Sequence, residues 1–192
     1  MRILFLLVGM GWGAFVMASD GVKWSKGIIV MADGEVRQGD LAFQVSEIVL
    51  FRTADEVTVF TANKVRSFRY YDHQEKINRK FVSRASSLGR TACFYEVVVL
   101  GEVSVMRKLS HHIISNRKNS DKDDYNYFIC FQDNLIPLHH FRNKVYPSLT
   151  SSRQIGRLIK DRHLNPNHKG DAIQIIQLYN KAASAETLVA GI

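Results

Sequence analysis

From residue 27 to about residue 141 the chain repeats one pattern: short runs of Val, Ile, Phe and Tyr, broken by polar or glycine-containing turns. Such runs are too short for helices and carry the period-two alternation of strands, so they restrict this stretch to antiparallel β-structure. In "GIIVMADGEVRQGDLAF" residues 28–31 read as extended, Asp33-Gly34 offers the positive φ of a tight hairpin turn, and the chain returns through Val36. Gly39-Asp40 marks a second turn or bulge. Further runs at residues 47–51, 56–60, 66–71, 79–83, 92–100, 103–109 and 125–131 bring the total to roughly nine strands. Val57 and Val59 share one face, as do Cys93, Tyr95, Val97 and Val99, because alternate strand residues point the same way. Consecutive strands that each bury one face predict an antiparallel sandwich or an open barrel.

After Pro147 the spacing changes to that of helices. "TSSRQIGRLIKDRHLNPN" offers Ser151 or Ser152 as an N-cap, an apolar stripe at Ile155, Leu158 and Ile159, and a stop at Asn165-Pro166. "GDAIQIIQLYNKAAS" begins at an Asp171 cap and places Ala172, Ile175, Ile176, Tyr179 and Ala183 on one stripe. The expectation is a β domain over residues 19–147 followed by a helical hairpin over residues 148–192, packed on it. Short helices with single apolar stripes are marginal in water unless packed.

The opening "MRILFLLVGMGWGAFVMA" has one cation, Arg2, and then an apolar run over residues 3–18. That run falls short of the ~20 residues a spanning helix needs and ends on a small residue, which predicts a signal peptide over residues 1–18. No later segment is apolar enough to span a bilayer. The expected compartment is the periplasm, the outer-membrane surface or the exterior. The whole chain holds 26 Lys+Arg and 18 Asp+Glu, so loss of Arg2 leaves 25 − 18 = +7. A basic exported surface suits an acidic glycan, an anionic lipid or an envelope protein, while export sets nucleic acid aside.

Two cysteines, Cys93 and Cys130, lie inside strand-like runs. An oxidising compartment allows a disulfide worth ~3–5 kcal/mol; two buried thiols acting as small apolar residues are the alternative. "RSFRYYD" interleaves Arg66, Arg69, Tyr70 and Tyr71. Cations among aromatics can form a ligand-stacking surface, and at period-two spacing they can equally be core rings with snorkelled arginines. The adjacent pairs His111-His112 and His139-His140 suggest a metal, yet neighbouring side chains diverge on a strand and lie ~100° apart on a helix. No ligand follows at i+3 or i+4 of the second pair, where Arg142, Asn143 and Lys144 stand, so neither a metal nor a cofactor is expected. Gly-x-Ser-x-Gly, His-Glu-x-x-His and P-loop patterns are missing from the sequence, so no catalytic residues are assigned and enzymatic activity is not the expectation.

The order of "KGIIVMADGEVRQGDLAF", "VRSFRYYD", "FYEVVVLGEVSVMRK", "IPLHHFRNKVYP" and "DAIQIIQLYN" resembles small exported β-rich proteins of unknown function from Bacteroidetes-type bacteria. The resemblance implies an envelope protein with a β-rich body and C-terminal helices, and brings no catalytic motif with it. Three readings follow. A non-catalytic envelope protein with a structural or partner-binding role requires an exposed apolar or aromatic patch. A binding module for acidic polysaccharide or anionic lipid requires cations from separate strands to gather on one face. A hydrolase requires a pocket where Asp, Glu, His or Ser converge.

Overall fold

A computed structural model describes residues 22–54, 56–85, 91–109 and 125–190, with the side chains of Gln44 and residues 186–190 outside the description. His111, His112 and the expected signal peptide over residues 1–18 fall outside the described residues. Ten strands form one antiparallel sheet: β1 (Ser25–Met31), β2 (Val36–Val45), β3 (Ile48–Arg52), β4 (Val57–Thr61), β5 (Val65–Asp72), β6 (Ile77–Ala85), β7 (Ala92–Val99), β8 (Ser104–Leu109), β9 (Tyr125–Phe131) and β10 (Asn134–Pro137). Their order across the sheet is β10-β9-β8-β7-β6-β5-β1-β2-β3-β4. The chain is therefore mainly antiparallel β with short C-terminal helices, and a single continuous sheet takes the place of two stacked ones.

That sheet rolls. The Phe94 N–H on β7 donates to the Ser46 carbonyl at 2.6 Å, and Ser83 Oγ on β6 donates to the Ala62 carbonyl at 2.5 Å. Strands β7 and β3 are five places apart in the sheet order, so the turn between β2 and β3 reaches β7 only because the intervening strands curl. Right-handed twist supplies part of this curvature, and bulges where the β1/β5, β2/β3 and β7/β8 registers shift supply more. Inside the roll lie Ile29, Leu41, Val49, Phe51, Val65, Phe68, Phe81 and Phe94, with Phe43 packed against the stacked rings of Phe68 and Phe81.

The first hairpin turns at Gly34, whose φ of 96° is open to glycine. The last one, β9 to β10, turns through Gln132 and Asp133 with φ of 49° and 60°, the paired positive values of a type I′ turn. Helical structure begins at Leu138, ahead of residue 148. A 3-10 turn (Leu138–His140) leads into α1 (Phe141–Lys144), α2 (Tyr146–Leu149), α3 (Arg153–Asp161) and α4 (Lys169–Ala190). Phe141, Val145, Leu149, Ile155, Ile159, Ala172, Ile175 and Ile176 are buried with Val99, Val103, Val105 and Ile129 of the sheet. The helices thus cover the inner face of β7 to β9, next to the aromatic roll, and share a core with it.

One side chain locks this arrangement. Asn180 on α4 is 8 % exposed, accepts from the Val103 N–H at 3.0 Å and donates Nδ2–H to the Val103 carbonyl at 2.8 Å. A Cβ at Gly101 would fall inside the Asn180 amide, so that approach needs glycine. Tyr179 adds an exposed bond from its hydroxyl to Glu102 Oε1 at 2.9 Å. Asn180→Ala strands two buried backbone groups and should cost about 2–4 kcal/mol, lowering the melting temperature by roughly 5–15 °C. Tyr179→Phe should cost under about 1 kcal/mol, and thermal melts of the two variants check both values.

Candidate functional site

The alternation of each strand fixes which side chains leave the roll. On β1, Ile29 and Met31 point inward, so Lys26 and Ile28 point outward. On β5, Phe68 and Tyr70 point inward, so Arg69 and Tyr71 point outward. On β6, Phe81 and Arg79 point inward, so Asn78 and Lys80 point outward. The register then aligns these outward residues: Gln38, Ile28, Arg69 and Lys80 are cross-strand partners in one row, while Tyr71 faces Asn78 and Lys26 faces Asp40 in the next. Between the two rows runs a groove of about 850 Å³ across β2, β1, β5 and β6.

Its chemistry is one-sided. Lys26, Arg69 and Lys80 come from three adjacent strands, all are exposed, and none is in an ion pair among the described residues. Among the described residues the one carboxylate lining the groove, Asp40, is held by Arg52 at 2.8 Å, and Arg52 stacks on Trp24 at 4.4 Å. Tyr71, 39 % exposed, offers an aromatic face beside them. Gly27 and Gly39 lie on the floor with Leu41 and Phe51 pressed against them from within, which keeps the inner side filled.

Of the four residues singled out in "RSFRYYD", two belong to this groove by side chain. Arg69 and Tyr71 do. Tyr70 points inward, nearly parallel to Phe68 and Phe81, and burial pushes its hydroxyl pKa up to about 12. Arg66 is the extra residue of the bulge opposite Val30/Met31 and stands outside the groove. Lys26, Asn78 and Lys80 carried no local signal, because only the pairing of β1 with β5 and of β5 with β6 brings them together.

On the inner face, where the aromatic roll meets the helix-covered core, four charges form a chain. Glu96, 7 % exposed, accepts from Arg79 Nη1 at 2.7 Å and from Arg107 Nε at 2.8 Å. Arg79 Nε donates to Asp72 Oδ2 at 2.7 Å, and Arg107 lies 4.1 Å from the Tyr125 ring. They border a cavity of about 200 Å³ floored by Phe43, Phe81 and Phe94. Both carboxylates are already engaged by guanidinium groups, which leaves neither placed as a general acid or base. The hydrogen bond from Arg79, opposed by partial burial and aided by the Gln74 and Glu75 amides, holds the Asp72 carboxyl below its ordinary range.

Cys93 and Cys130 are both free thiols. Glu96 pairs with Arg107 and Ser104 pairs with Cys130, which sets the two cysteines about six residues, or ~20 Å, apart along the strands. A disulfide needs Cα atoms within ~7 Å. Burial raises the Cys93 thiol pKa, against the pull of Lys108. The His139 and His140 rings lie 4.1 Å apart, and burial, then His139 and Lys144, lower the His140 pKa. Among the described residues no three His, Cys, Asp or Glu side chains converge as metal ligands. No described helix is long and apolar enough to cross a membrane. No known protein family, curated protein or solved structure matches the chain.

The Asp72–Arg79 bond sets an acid limit. Because the folded-state pKa of Asp72 is lowered, its contribution is complete above the unfolded value of ~3.9 and is lost as pH falls through the folded value. Asp72→Asn should therefore be less stable than wild type at neutral pH and lose less stability below about pH 4. Denaturant titrations across that range should show the two curves converging on acidification; parallel curves would contradict the assignment.

Proposed function

We propose that this protein is an exported, non-catalytic binding protein of the cell envelope whose outer groove holds an acidic polysaccharide. The apolar run over residues 3–18 supports export. The observation that carries the ligand is the gathering of Lys26, Arg69 and Lys80 from three strands onto one groove whose sole carboxylate is already paired. Cations held apart on a rigid sheet attract a polyanion without needing to neutralise one another. Tyr71, on the groove wall, supplies a flat face for a sugar ring. A trough crossing four strands at ~4.8 Å spacing suits a linear chain of a few rings.

Among the alternatives, an anionic-lipid surface fits less well, because a bilayer meets protruding cations and these line a concavity. A hydrolase needs unengaged acids, and in the inner cavity Asp72 and Glu96 are tied to arginines. The groove's single acid, Asp40, is tied to Arg52.

The test is retention on immobilised polygalacturonate, with neutral dextran as control. Lys26→Gln, Arg69→Gln and Lys80→Gln combined should weaken binding about a hundredfold, at roughly 1 kcal/mol per cation, and leave the melting temperature nearly unchanged. Raised salt should release the wild-type chain from the column. Equal retention of the triple variant would refute the groove as the site. Preferential capture by anionic vesicles, dependent on the same three cations, would move the reading to lipid.

A further inference from the structure

One edge of the sheet is left unguarded. Strand β4 ends the sheet order, and among the described residues it pairs with β3 alone. Its sequence, Val-Thr-Val-Phe-Thr, has no charge, proline or glycine, and it keeps one register along its whole length, so it lacks the devices that usually stop an edge from pairing further. The opposite edge, β10, is four residues long and ends on Pro137. Val57 and Val59 are 53 % and 57 % exposed, and Val59 lies beside Leu50 of β3 on the outer face, while Phe60 turns inward onto Phe51.

The backbone of β4 is divided in the same way. The Thr53 N–H donates to the Glu56 carbonyl at 3.0 Å and the Ala62 N–H to the Glu47 carbonyl at 2.9 Å, so residues 56, 58, 60 and 62 direct their peptide groups at β3. Val57, Val59 and Thr61 therefore present theirs to the open edge, where the Thr61 carbonyl also accepts from the Lys64 N–H at 2.9 Å. In the sequence the strand is bordered by charges of opposite sign, Asp55 and Glu56 before it and Lys64 after it.

We infer that β4 is the docking edge for a second copy of this chain, joined antiparallel about a two-fold axis through Val59. In that register the Val59 N–H of each copy donates to the Val59 carbonyl of the other, and Val57 stands opposite Thr61. The outward valines of both copies then continue the apolar row that Leu50 begins. The antiparallel direction brings the acidic end of each strand to the Lys64 end of the other, and this complementarity is what favours a second copy over an unrelated peptide. Such an interface is isologous and closed, so two copies satisfy each other and no open array grows. A five-residue edge, ~17 Å long, buries less than the ~1,200 Å² of a standard interface, so the dimer is weak, with a dissociation constant on the order of 100 µM.

The experiment is sedimentation equilibrium of the full chain up to about 1 mM, with cysteine cross-linking to fix the register. Wild type should pass reversibly from monomer to dimer as concentration rises. Val59→Lys sets two like charges face to face and should raise the dissociation constant at least about tenfold, whereas Ile77→Lys, at an exposed apolar side chain on β6, should leave it unchanged. Both side chains are exposed, so the fold should survive. Under mild oxidation Val59→Cys should give more covalent dimer than wild type, because directly opposed Cα atoms lie ~5.5 Å apart, within disulfide reach. Thr61→Cys should give no more than wild type, since the two copies of that residue lie ~13 Å apart along the strands. A monomer at about 1 mM, which would leave the edge to an extended segment of a different protein, would overturn the inference. So would a dimer that Val59→Lys leaves intact, or cross-linking at Thr61→Cys equal to that at Val59→Cys.

Discussion

The carboxylate of Glu96 is the interaction on which the architecture turns. It sits at the seam between two cores built on the same face of one sheet, and it is the single acceptor shared by Arg79 from β6 and Arg107 from β8. Desolvating one carboxylate and two guanidinium groups is costly, and removing the acid alone would leave two cations facing each other in partial burial. The same bonds hold the pleat. With Arg79 drawn inward to Glu96 and Asp72, its neighbours Asn78 and Lys80 must point out, and a one-residue slip of β6 would bring Lys80 inside. The outer groove thus depends on an inner ion pair that begins on β6, the last strand of its row, and ends on the adjacent β7.

The two faces of the sheet divide the labour. Most inward residues are aromatic or aliphatic, and they fill the curl that carries the turn at Ser46 to Phe94. Outward residues on β1, β5 and β6 place the cations Lys26, Arg69 and Lys80 beside Ile28, Val30 and Tyr71. The helices close the other half of the inner face, and Asn180 ties them to the turn between β7 and β8 through both backbone groups of Val103. The proposed binding face and the aromatic core therefore lie on opposite sides of the same strands.

Much of the fold was legible locally. Alternation located most strands to within two residues, though β1 begins three residues before residue 28 and Gly39-Asp40, expected as a turn or bulge, pairs regularly inside β2. Gly34 marked the first turn, and the stripes of Ile155, Ile159, Ala172, Ile175 and Ile176 named the helix faces that the core takes up. What escaped had no local signal. Strand β10 follows a type I′ turn made by Gln132 and Asp133, where no glycine announces the positive φ. The helices α1 and α2 have four residues each, too few to show a period. A single rolled sheet and a two-sheet sandwich share the same strand pattern, and bulges decide between them. The groove was half legible: Arg69 and Tyr71 stand in one cationic and aromatic segment, whereas Lys26 and Lys80 join them only because β5 returns to pair with β1 some forty residues later in the chain.

Register aligns three cations across adjacent strands, and on our proposal this makes the outer groove a seat for an acidic glycan. Backbone amide NMR of the isotope-labelled chain, titrated with a short oligogalacturonate, tests it residue by residue. Saturable shifts should be confined to Lys26, Gly27, Arg69, Tyr71, Asn78 and Lys80, with Asn180 and Glu96 unmoved. Shifts centred elsewhere on the surface, or none at all, would contradict it.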